Sequence, residues 1–222
     1  MGRMFKSITR TWNVSVGCDF DCFYCNARKD ALNRLKHAPR YRDGFKPHLV
    51  EEELKKRFKP GEFIFVSYMG DISFIAPTEV LRILHRIREF PETDFLIQSK
   101  NPDYFWEFGF PENVVLGTTL ESNKDYGLTK APFPELRYRM LKSIDHPRKF
   151  ISIEPIMDFH LETMVGWIRE MAPEIVEIGA DNYHNGLTEP PWWKVEELLR
   201  SLSVLCLRVI EKDGLRRLNK QY

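Results

Sequence analysis

Three of the four cysteines fall within eight residues, at Cys18, Cys22 and Cys25, and the fourth, Cys206, stands alone. Three neighbouring thiols cannot all pair with one another, and a disulfide-stapled fold spreads an even number of cysteines along a much shorter chain. A metal centre is therefore the better interpretation. Cysteine is the preferred ligand of iron–sulfur clusters, and thiolates at this spacing can wrap one face of a compact cluster.

The number of cysteines in this loop bears on reactivity. A [4Fe–4S] cluster ordinarily takes four cysteine ligands, so three without a nearby fourth predict one iron that is open to substrate or cofactor. The alternative is a zinc site of the Cys3His type, with His37 as the fourth ligand. Cys206 is interpreted in the first place as a small buried residue.

The elements that must position this loop form an alternating pattern. Short β-rich runs and helical stretches follow one another along the chain, which is typical of βα units around a parallel sheet. We predict strands near residues 11–16, 62–68, 94–99, 114–119, 150–154, 175–180 and 204–210. We predict helices near residues 26–37, 51–58, 77–90, 134–144, 161–171 and 191–202. The cysteine loop, residues 17–26, lies between the first strand and the first helix.

The faces of the predicted strands distinguish two architectures. An open sheet with helices on both sides needs two apolar faces on every strand. Here one face is apolar and the other is polar, through Gln98 and Lys100, Thr119 and Glu121, Ser152 and Glu154, and Glu177 and Asp181. A curved sheet with helices outside and a polar interior explains this pattern. Because a full eightfold barrel takes about 250 residues, the 222 residues predict a single α/β domain over residues 1–222 that forms a partial barrel.

Polar residues also gather where the predicted strands end. In parallel α/β folds the carboxyl ends of the strands carry the functional site. The residues at this end are Cys18, Asp71, Ser99, Lys100, Thr119, Glu121, Glu154, Asp181, Asn182, Glu211 and Lys212.

Composition limits the partners and the location. The 33 Lys and Arg residues nearly balance the 32 Asp and Glu residues, and the resulting charge of +1 excludes a uniformly basic surface for nucleic acid. The basic clusters at residues 40–42, 55–57, 137–139 and 216–217 are interpreted either as solvated faces or as a local groove for a nucleic acid. The sequence shows neither an apolar leader nor a membrane span, so we expect a cytoplasmic protein that does not bind membranes.

The C-x3-C-x2-C loop, with an aromatic residue before its last cysteine, resembles that of the radical S-adenosylmethionine (SAM) superfamily. More narrowly, residues 11–13, 98–102, 113–121 and 152–156 resemble a phage-associated and archaeal branch that is related to spore photoproduct lyase-like proteins. The resemblance implies a partial (β/α)6 barrel, a [4Fe–4S] cluster on Cys18, Cys22 and Cys25, and SAM bound to the open iron through its amino and carboxylate groups.

The same resemblance assigns further residues to SAM. The main chain around Tyr24 would meet the adenine, and Met69, Gly70 and Asp71 would receive the methionine amine. This last segment departs from the usual Gly-Gly-Glu, because it has one glycine and an aspartate in place of glutamate. The remaining assignments are Ser99 and Lys100 to the SAM carboxylate, Thr119 and Glu121 to the ribose, Asp181 to the adenine region, and Glu154 and Lys212 to the substrate side.

The resemblance also implies a chemistry and its partners. A reduced cluster gives one electron to the SAM sulfonium, which breaks the S–C5′ bond and yields a 5′-deoxyadenosyl radical. With this chemistry, the alternative interpretation of Cys206 is a hydrogen-atom donor to a substrate radical. The implied partners are SAM and a one-electron reductant of the flavodoxin or ferredoxin type. Modification or repair of a nucleic acid is the first hypothesis for the reaction, and a small-molecule rearrangement is the second. The non-enzymatic alternative is a zinc-stabilised or redox-responsive binding module.

Overall fold

The computed structural model describes residues 5–205 and 208–219. Over these residues the chain forms nine strands and five α-helices. The strands are β1 (Arg10–Trp12), β2 (Ser15–Val16), β3 (His48–Leu49), β4 (Phe63–Val66), β5 (Asp94–Gln98), β6 (Val114–Thr119), β7 (Lys149–Ile153), β8 (Ile175–Ile178) and β9 (Arg208–Glu211). The helices are α1 (Asn26–Leu32), α2 (Pro77–Arg88), α3 (Pro134–Ser143), α4 (Leu161–Met171) and α5 (Trp192–Val204).

Seven of the strands form one parallel sheet in the order β1-β4-β5-β6-β7-β8-β9. This order follows the chain, so each new strand joins the same growing edge and the winding direction never reverses. A twisted sheet wound in this way curls, and the result is a half-barrel with helices on its outside. The predicted partial barrel is confirmed. Strands β2 and β3 form a separate antiparallel pair, with Ser15 opposite Leu49.

The interior of the half-barrel has an apolar floor. The side chains of Phe65, Leu96, Val115, Phe150 and Ile175 point inward from five neighbouring strands and enclose Phe5 and Ile8. The Phe5 ring lies 5.1 Å from the Phe65 ring and 4.9 Å from the Phe150 ring, centroid to centroid. The prediction of a polar interior therefore holds only nearer the carboxyl ends of the strands.

Glu177, which was expected to line the polar interior, fixes this floor instead. Its carboxylate accepts hydrogen bonds from the main-chain N–H of Lys6 (2.9 Å) and from the N–H and hydroxyl of Ser7 (2.8 and 2.5 Å). Glu177 is fully buried. It therefore holds the segment before β1 inside the half-barrel.

Four predicted elements differ from the structure. The helix predicted over 26–37 ends at Leu32. The run at 51–58 forms a 3-10 helix over Glu51–Lys55, and its Glu53 carbonyl accepts from both the Lys56 N–H (3.1 Å) and the indole N–H of Trp12 (2.9 Å). The run at 11–16 breaks after Trp12, where β2 turns to pair with β3. The prediction of a strand from residue 204 is wrong, because Val204 is the last residue of α5 and β9 begins at Arg208. Cys206 lies outside the described residues.

Across residues 5–205 and 208–219, the helices are all too short or too polar to cross a membrane.

Candidate active site

The cysteine loop begins at Gly17, which lies directly against Gly70. Gly17 has φ of 87°, and a Cβ on it would lie 2.2 Å from the Lys46 carbonyl oxygen. A Cβ on Gly70 would lie 2.8 Å from the Gly17 carbonyl oxygen. The N–H of Gly17 donates to Met69 O (2.9 Å), and the N–H of Asp71 donates to Gly17 O (3.2 Å). The start of the cysteine loop is thereby held directly against the Met69–Gly70–Asp71 segment.

The rest of the loop is anchored by α1. The sulfur of Cys25 caps this helix by accepting from the Arg28 N–H at 3.4 Å. The Arg28 guanidinium donates to the Cys18 carbonyl oxygen at 3.0 Å, which ties the first cysteine to the helix that follows the third. Cys22 lies 3.1 Å from the Thr129 hydroxyl. Cys22 and Cys25 line a cavity of about 500 Å³ between α1 and residues 127–130.

The thiols themselves are partly exposed. Burial raises the pKa of the Cys18 and Cys25 thiols. Both groups are therefore protonated at neutral pH, and binding of iron or zinc would release these protons.

The donor set of the loop consists of three thiols, the ligand type that iron–sulfur clusters prefer. In the part of the chain that the structure describes, no three His, Cys, Asp or Glu side chains converge in the way that one metal ion requires. His37, the fourth ligand of the zinc alternative, is exposed. In an iron–sulfur cluster each thiolate binds its own iron, so the three sulfurs need not converge on one point.

A buried charge network lies beside the loop. The Glu121 carboxylate accepts from the Tyr24 hydroxyl and the Lys100 ammonium at one oxygen, and from the Arg137 guanidinium at the other (2.8 Å). The Lys100 ammonium also donates to the Tyr24 hydroxyl at 2.6 Å. Arg137 and Glu121 are each 2% exposed at the side chain, and Lys100 is 15% exposed. The predicted residues Tyr24, Lys100 and Glu121 thus form one contiguous group.

These groups keep one another charged. Burial favours the protonated form of Glu121, but Arg137 and Lys100 outweigh burial and hold its pKa at about 2. Burial also disfavours the Lys100 ammonium, yet the adjacent Glu121 carboxylate raises the Lys100 pKa above its ordinary value. Both side chains are therefore ionised at neutral pH.

Asp71 links two neighbouring loops. One carboxylate oxygen accepts from the Ser73 N–H (3.0 Å), the Ser73 hydroxyl (2.8 Å) and the Ser99 hydroxyl (2.6 Å), and the other accepts from the Lys100 N–H (3.0 Å). Burial raises the Asp71 pKa, against the effect of these bonds. The carboxylate fixes the main chain from which the Lys100 side chain extends.

Glu154 and Lys212 form an ion pair above the apolar floor. Their side chains are 14% and 8% exposed, and the Lys212 ammonium lies 4.8 Å from the centroid of the Phe5 ring. Gly179 leaves the space that Glu154 occupies, since a Cβ there would lie 2.5 Å from Oε1 of Glu154. The two residues predicted on the substrate side are therefore in direct contact.

Thr119 and Asp181 occupy different positions. The Thr119 hydroxyl accepts from the Gln98 amide (2.6 Å), and its carbonyl accepts from Arg137 (2.8 Å), so it adjoins the charge network. The Asp181 carboxylate accepts from the Asn185 amide (2.6 Å), and Asn185 accepts from Lys29 of α1 (2.5 Å). Asp181 therefore belongs to a loop that contacts α1 through Asn185 and Lys29.

Arg137 was not identified as a site residue from the sequence, where it was grouped with Arg139 in a basic cluster. The structure turns Arg137 inward and leaves Arg139 paired with Glu135 at the surface (2.6 Å). One signal was available, because Arg137 lies four residues before Leu141 on the apolar face of α3. The other clusters contain ion pairs to carboxylates, including Arg40–Glu53, Lys56–Glu53, Arg216–Glu211 and Arg217–Glu189.

Comparisons with known proteins support the architecture. A double mutant of spore photoproduct lyase, solved with bound AdoMet and dinucleoside spore photoproduct, superposes with a TM-score of 0.60 over 90% of this chain and 75% of its own, at 7% identity. SuiB from Streptococcus suis, solved bound to precursor peptide SuiA, gives a TM-score of 0.56 at 10% identity. The match covers 96% of this chain but only half of SuiB. At such identities the likeness concerns the fold.

Sequence comparison places the chain in a family. No functionally curated protein matches it. The model of the family described as "Protein of unknown function (DUF5131)" matches residues 5–169. This match spans most of the chain, which folds as a partial barrel of the radical SAM type. The protein therefore belongs to the DUF5131 family.

Proposed function

We propose that this chain is a radical SAM enzyme that binds a [4Fe–4S] cluster through Cys18, Cys22 and Cys25 and cleaves SAM reductively. The observation that carries the proposal is the placement of three cysteines, at the carboxyl end of a half-barrel, beside the buried Lys100–Glu121–Arg137 network. When bound, the cluster would supply the electron that breaks the S–C5′ bond of SAM. A cytoplasmic one-electron reductant of the flavodoxin or ferredoxin type would deliver that electron.

Lys100 is the residue best placed to meet the SAM carboxylate. Its ammonium is hydrogen-bonded to Glu121 and Tyr24, and its side chain is 15% exposed. A fixed cation with an open side is suited to binding a carboxylate. Ser99 is the second proposed contact, and Asp71 holds both residues in position through the Ser99 hydroxyl and the Lys100 N–H.

The remaining SAM contacts follow from the same arrangement. The main chain of Met69 and Gly70 adjoins the start of the cysteine loop and is proposed to receive the methionine amine. Thr119 and Glu121 would lie on the ribose side, and the main chain at Tyr24 and the loop at Asp181 would lie on the adenine side. In this arrangement Asp71 acts mainly by fixing neighbouring segments.

Glu154 and Lys212 are proposed to face the substrate. A radical must react with its target in a site that excludes water, and the apolar floor beneath this ion pair closes the half-barrel on one side. Tyr68 contacts both the floor and the packing around the cysteine loop, so its ring lies between the two. Burial raises the pKa of the Tyr68 hydroxyl, and Glu154 is near enough for its carboxylate to raise it further. An aromatic ring with polar groups nearby is suited to a nucleobase. A nucleic acid is therefore the first substrate class to test.

Metal analysis after anaerobic reconstitution tests the proposal against the zinc-binding alternative. The proposal predicts about four iron and four sulfide per chain and a brown protein. A colourless protein with one zinc per chain would establish the alternative. Incubation with SAM and dithionite then tests the reaction, because an enzyme of this class releases 5′-deoxyadenosine and a binding module leaves SAM intact.

A separate experiment tests the substrate class. Binding to single-stranded DNA and RNA is measured by retardation at 50 and 200 mM salt. A nucleic-acid enzyme should bind more weakly at the higher salt, since phosphate contacts release counterions. Absence of binding at the lower salt would reject nucleic acid and favour a small molecule, without affecting the SAM chemistry.

A further inference from the structure

Arg137 makes contacts that a surface arginine does not make. Its Nε donates to the Pro132 carbonyl oxygen (2.7 Å), and one terminal nitrogen donates to the Thr119 carbonyl oxygen and the Glu121 carboxylate (2.8 Å each). Its side chain is 2% exposed. The guanidinium is therefore fixed by main-chain and side-chain acceptors, and it fixes the Glu121 carboxylate in turn.

The network around Arg137 is not neutral. Arg137 and Lys100 are two cations that share one carboxylate, so the group carries one excess positive charge. Asp71 contacts Lys100 only at the main-chain N–H, and its remaining bonds go to serines. An uncompensated charge in a buried site is costly. Binding of an anion next to this network would therefore stabilise it.

The excess charge is close to the cysteine loop. Tyr24 lies between Cys22 and Cys25 in the chain, and its hydroxyl contacts both Lys100 and Glu121. The Lys100 ammonium also lies 4.7 Å from the centroid of the Tyr24 ring. The network therefore touches the loop through the residue next to a proposed cluster ligand.

We infer that Arg137 is a positioning residue that acts through Glu121, by holding the Lys100 ammonium in place and by leaving the network with one excess positive charge beside the cluster loop. This inference rests on the proposed function. Addition of an electron makes a thiolate-bound cluster more negative, and a nearby positive charge stabilises that reduced form. The same charge favours the carboxylate of SAM.

The test compares two substitutions that alter the network charge in opposite directions. Arg137→Met removes a cation, and Glu121→Gln removes the anion. The midpoint potential of the reconstituted cluster is measured by EPR-monitored titration. We expect a more negative potential in Arg137→Met and a less negative potential in Glu121→Gln. Loss of packing alone would not move the two potentials in opposite directions.

Two further variants serve as controls. Arg137→Lys keeps the charge and should restore the wild-type potential, and Arg139→Met removes a neighbouring surface charge and should leave the potential unchanged. Calorimetric titration with SAM should show affinity roughly tenfold weaker in Arg137→Met, the size of one lost charged hydrogen bond. The Arg137→Lys variant should regain most of that affinity.

The outcomes separate the inference from the proposed function. If the wild-type chain takes up no cluster, the proposed function itself fails and the inference fails with it. If the wild type holds a cluster and the potentials of Arg137→Met and Glu121→Gln coincide or move in the same direction, only the inference is overturned. Should Arg137→Met not fold, Glu121→Gln decides alone, by raising the potential or not raising it.

Discussion

Gly17 and Gly70 meet main chain to main chain, so closely that a Cβ on Gly70 would lie 2.8 Å from the Gly17 carbonyl oxygen. This contact joins the segment that begins the cysteine loop to the segment proposed to receive the SAM amine. Two loops from different strands thereby become one surface. The contact leaves no room for a side chain at position 70, and the Lys46 carbonyl leaves none at position 17.

Replacement of Gly17 by alanine should therefore disturb both stability and cluster binding. Its positive φ and the 2.2 Å approach to Lys46 O together predict a loss of about 3 kcal/mol in unfolding free energy. Gly61→Ala is the matched control, because φ is 77° but nothing lies within 4 Å of the added Cβ. It should cost about 1 kcal/mol. Urea denaturation measures the unfolding free energy of both variants, and equal losses would contradict the steric conflict with Lys46.

Glu121 should make a distinct contribution to acid stability. Its folded pKa of about 2 lies below the ordinary 4.5, so the carboxylate stabilises the fold above about pH 4.5. This contribution is lost as the pH falls from 4.5 towards 2. The unfolding free energy of the wild type should thus fall more steeply over this range than that of Glu121→Gln. Parallel pH profiles would show that Glu121 is not held ionised by its partners.

Removal of Lys212 should leave a buried carboxylate without its partner. Burial already raises the Glu154 pKa against the opposing effect of Lys212. In Lys212→Met the pKa should rise further, because burial then acts unopposed. The folded state binds the proton more tightly than the unfolded state, so the penalty appears as the pH rises and vanishes in acid. We expect a loss of about 3 kcal/mol at pH 7.

A double substitution controls for the altered packing at Lys212. Glu154→Gln combined with Lys212→Met removes both charges and should recover most of the lost stability at pH 7. Chemical denaturation at pH 5 and pH 7 gives the comparison. A double variant as unstable as Lys212→Met would assign the loss to packing over Phe5 rather than to the ion pair.

Substitution of Cys25 should separate cluster binding from folding. Cys25→Ser keeps an acceptor for the Arg28 N–H at the start of α1, so the melting temperature of the apo chain should change by only a few degrees. Iron uptake should nevertheless be lost, since a hydroxyl replaces a thiolate ligand. Cys206→Ser is the matched control and should keep full iron content. Equal iron content in the two variants would exclude Cys25 as a ligand.

The architecture could be predicted from the sequence more fully than the contacts between side chains could. Strand β6 and helix α4 lie where the hydrophobic pattern predicts them, because each pattern is read within one segment. Phe5 lies outside every predicted element, and only the closed half-barrel shows that it forms part of the floor. Arg137 was grouped by its charge with Arg139, and a carboxylate distant in sequence draws it inward. Contacts across strands were the least predictable features.

Reductive cleavage of SAM tests the central claim most directly. The anaerobically reconstituted chain is incubated with SAM and dithionite, and 5′-deoxyadenosine is quantified by chromatography beside Cys25→Ser and Cys206→Ser. The account predicts 5′-deoxyadenosine from the wild type and from Cys206→Ser, and none from Cys25→Ser. Intact SAM after incubation with wild-type protein that carries a full complement of reduced iron and sulfide would contradict it.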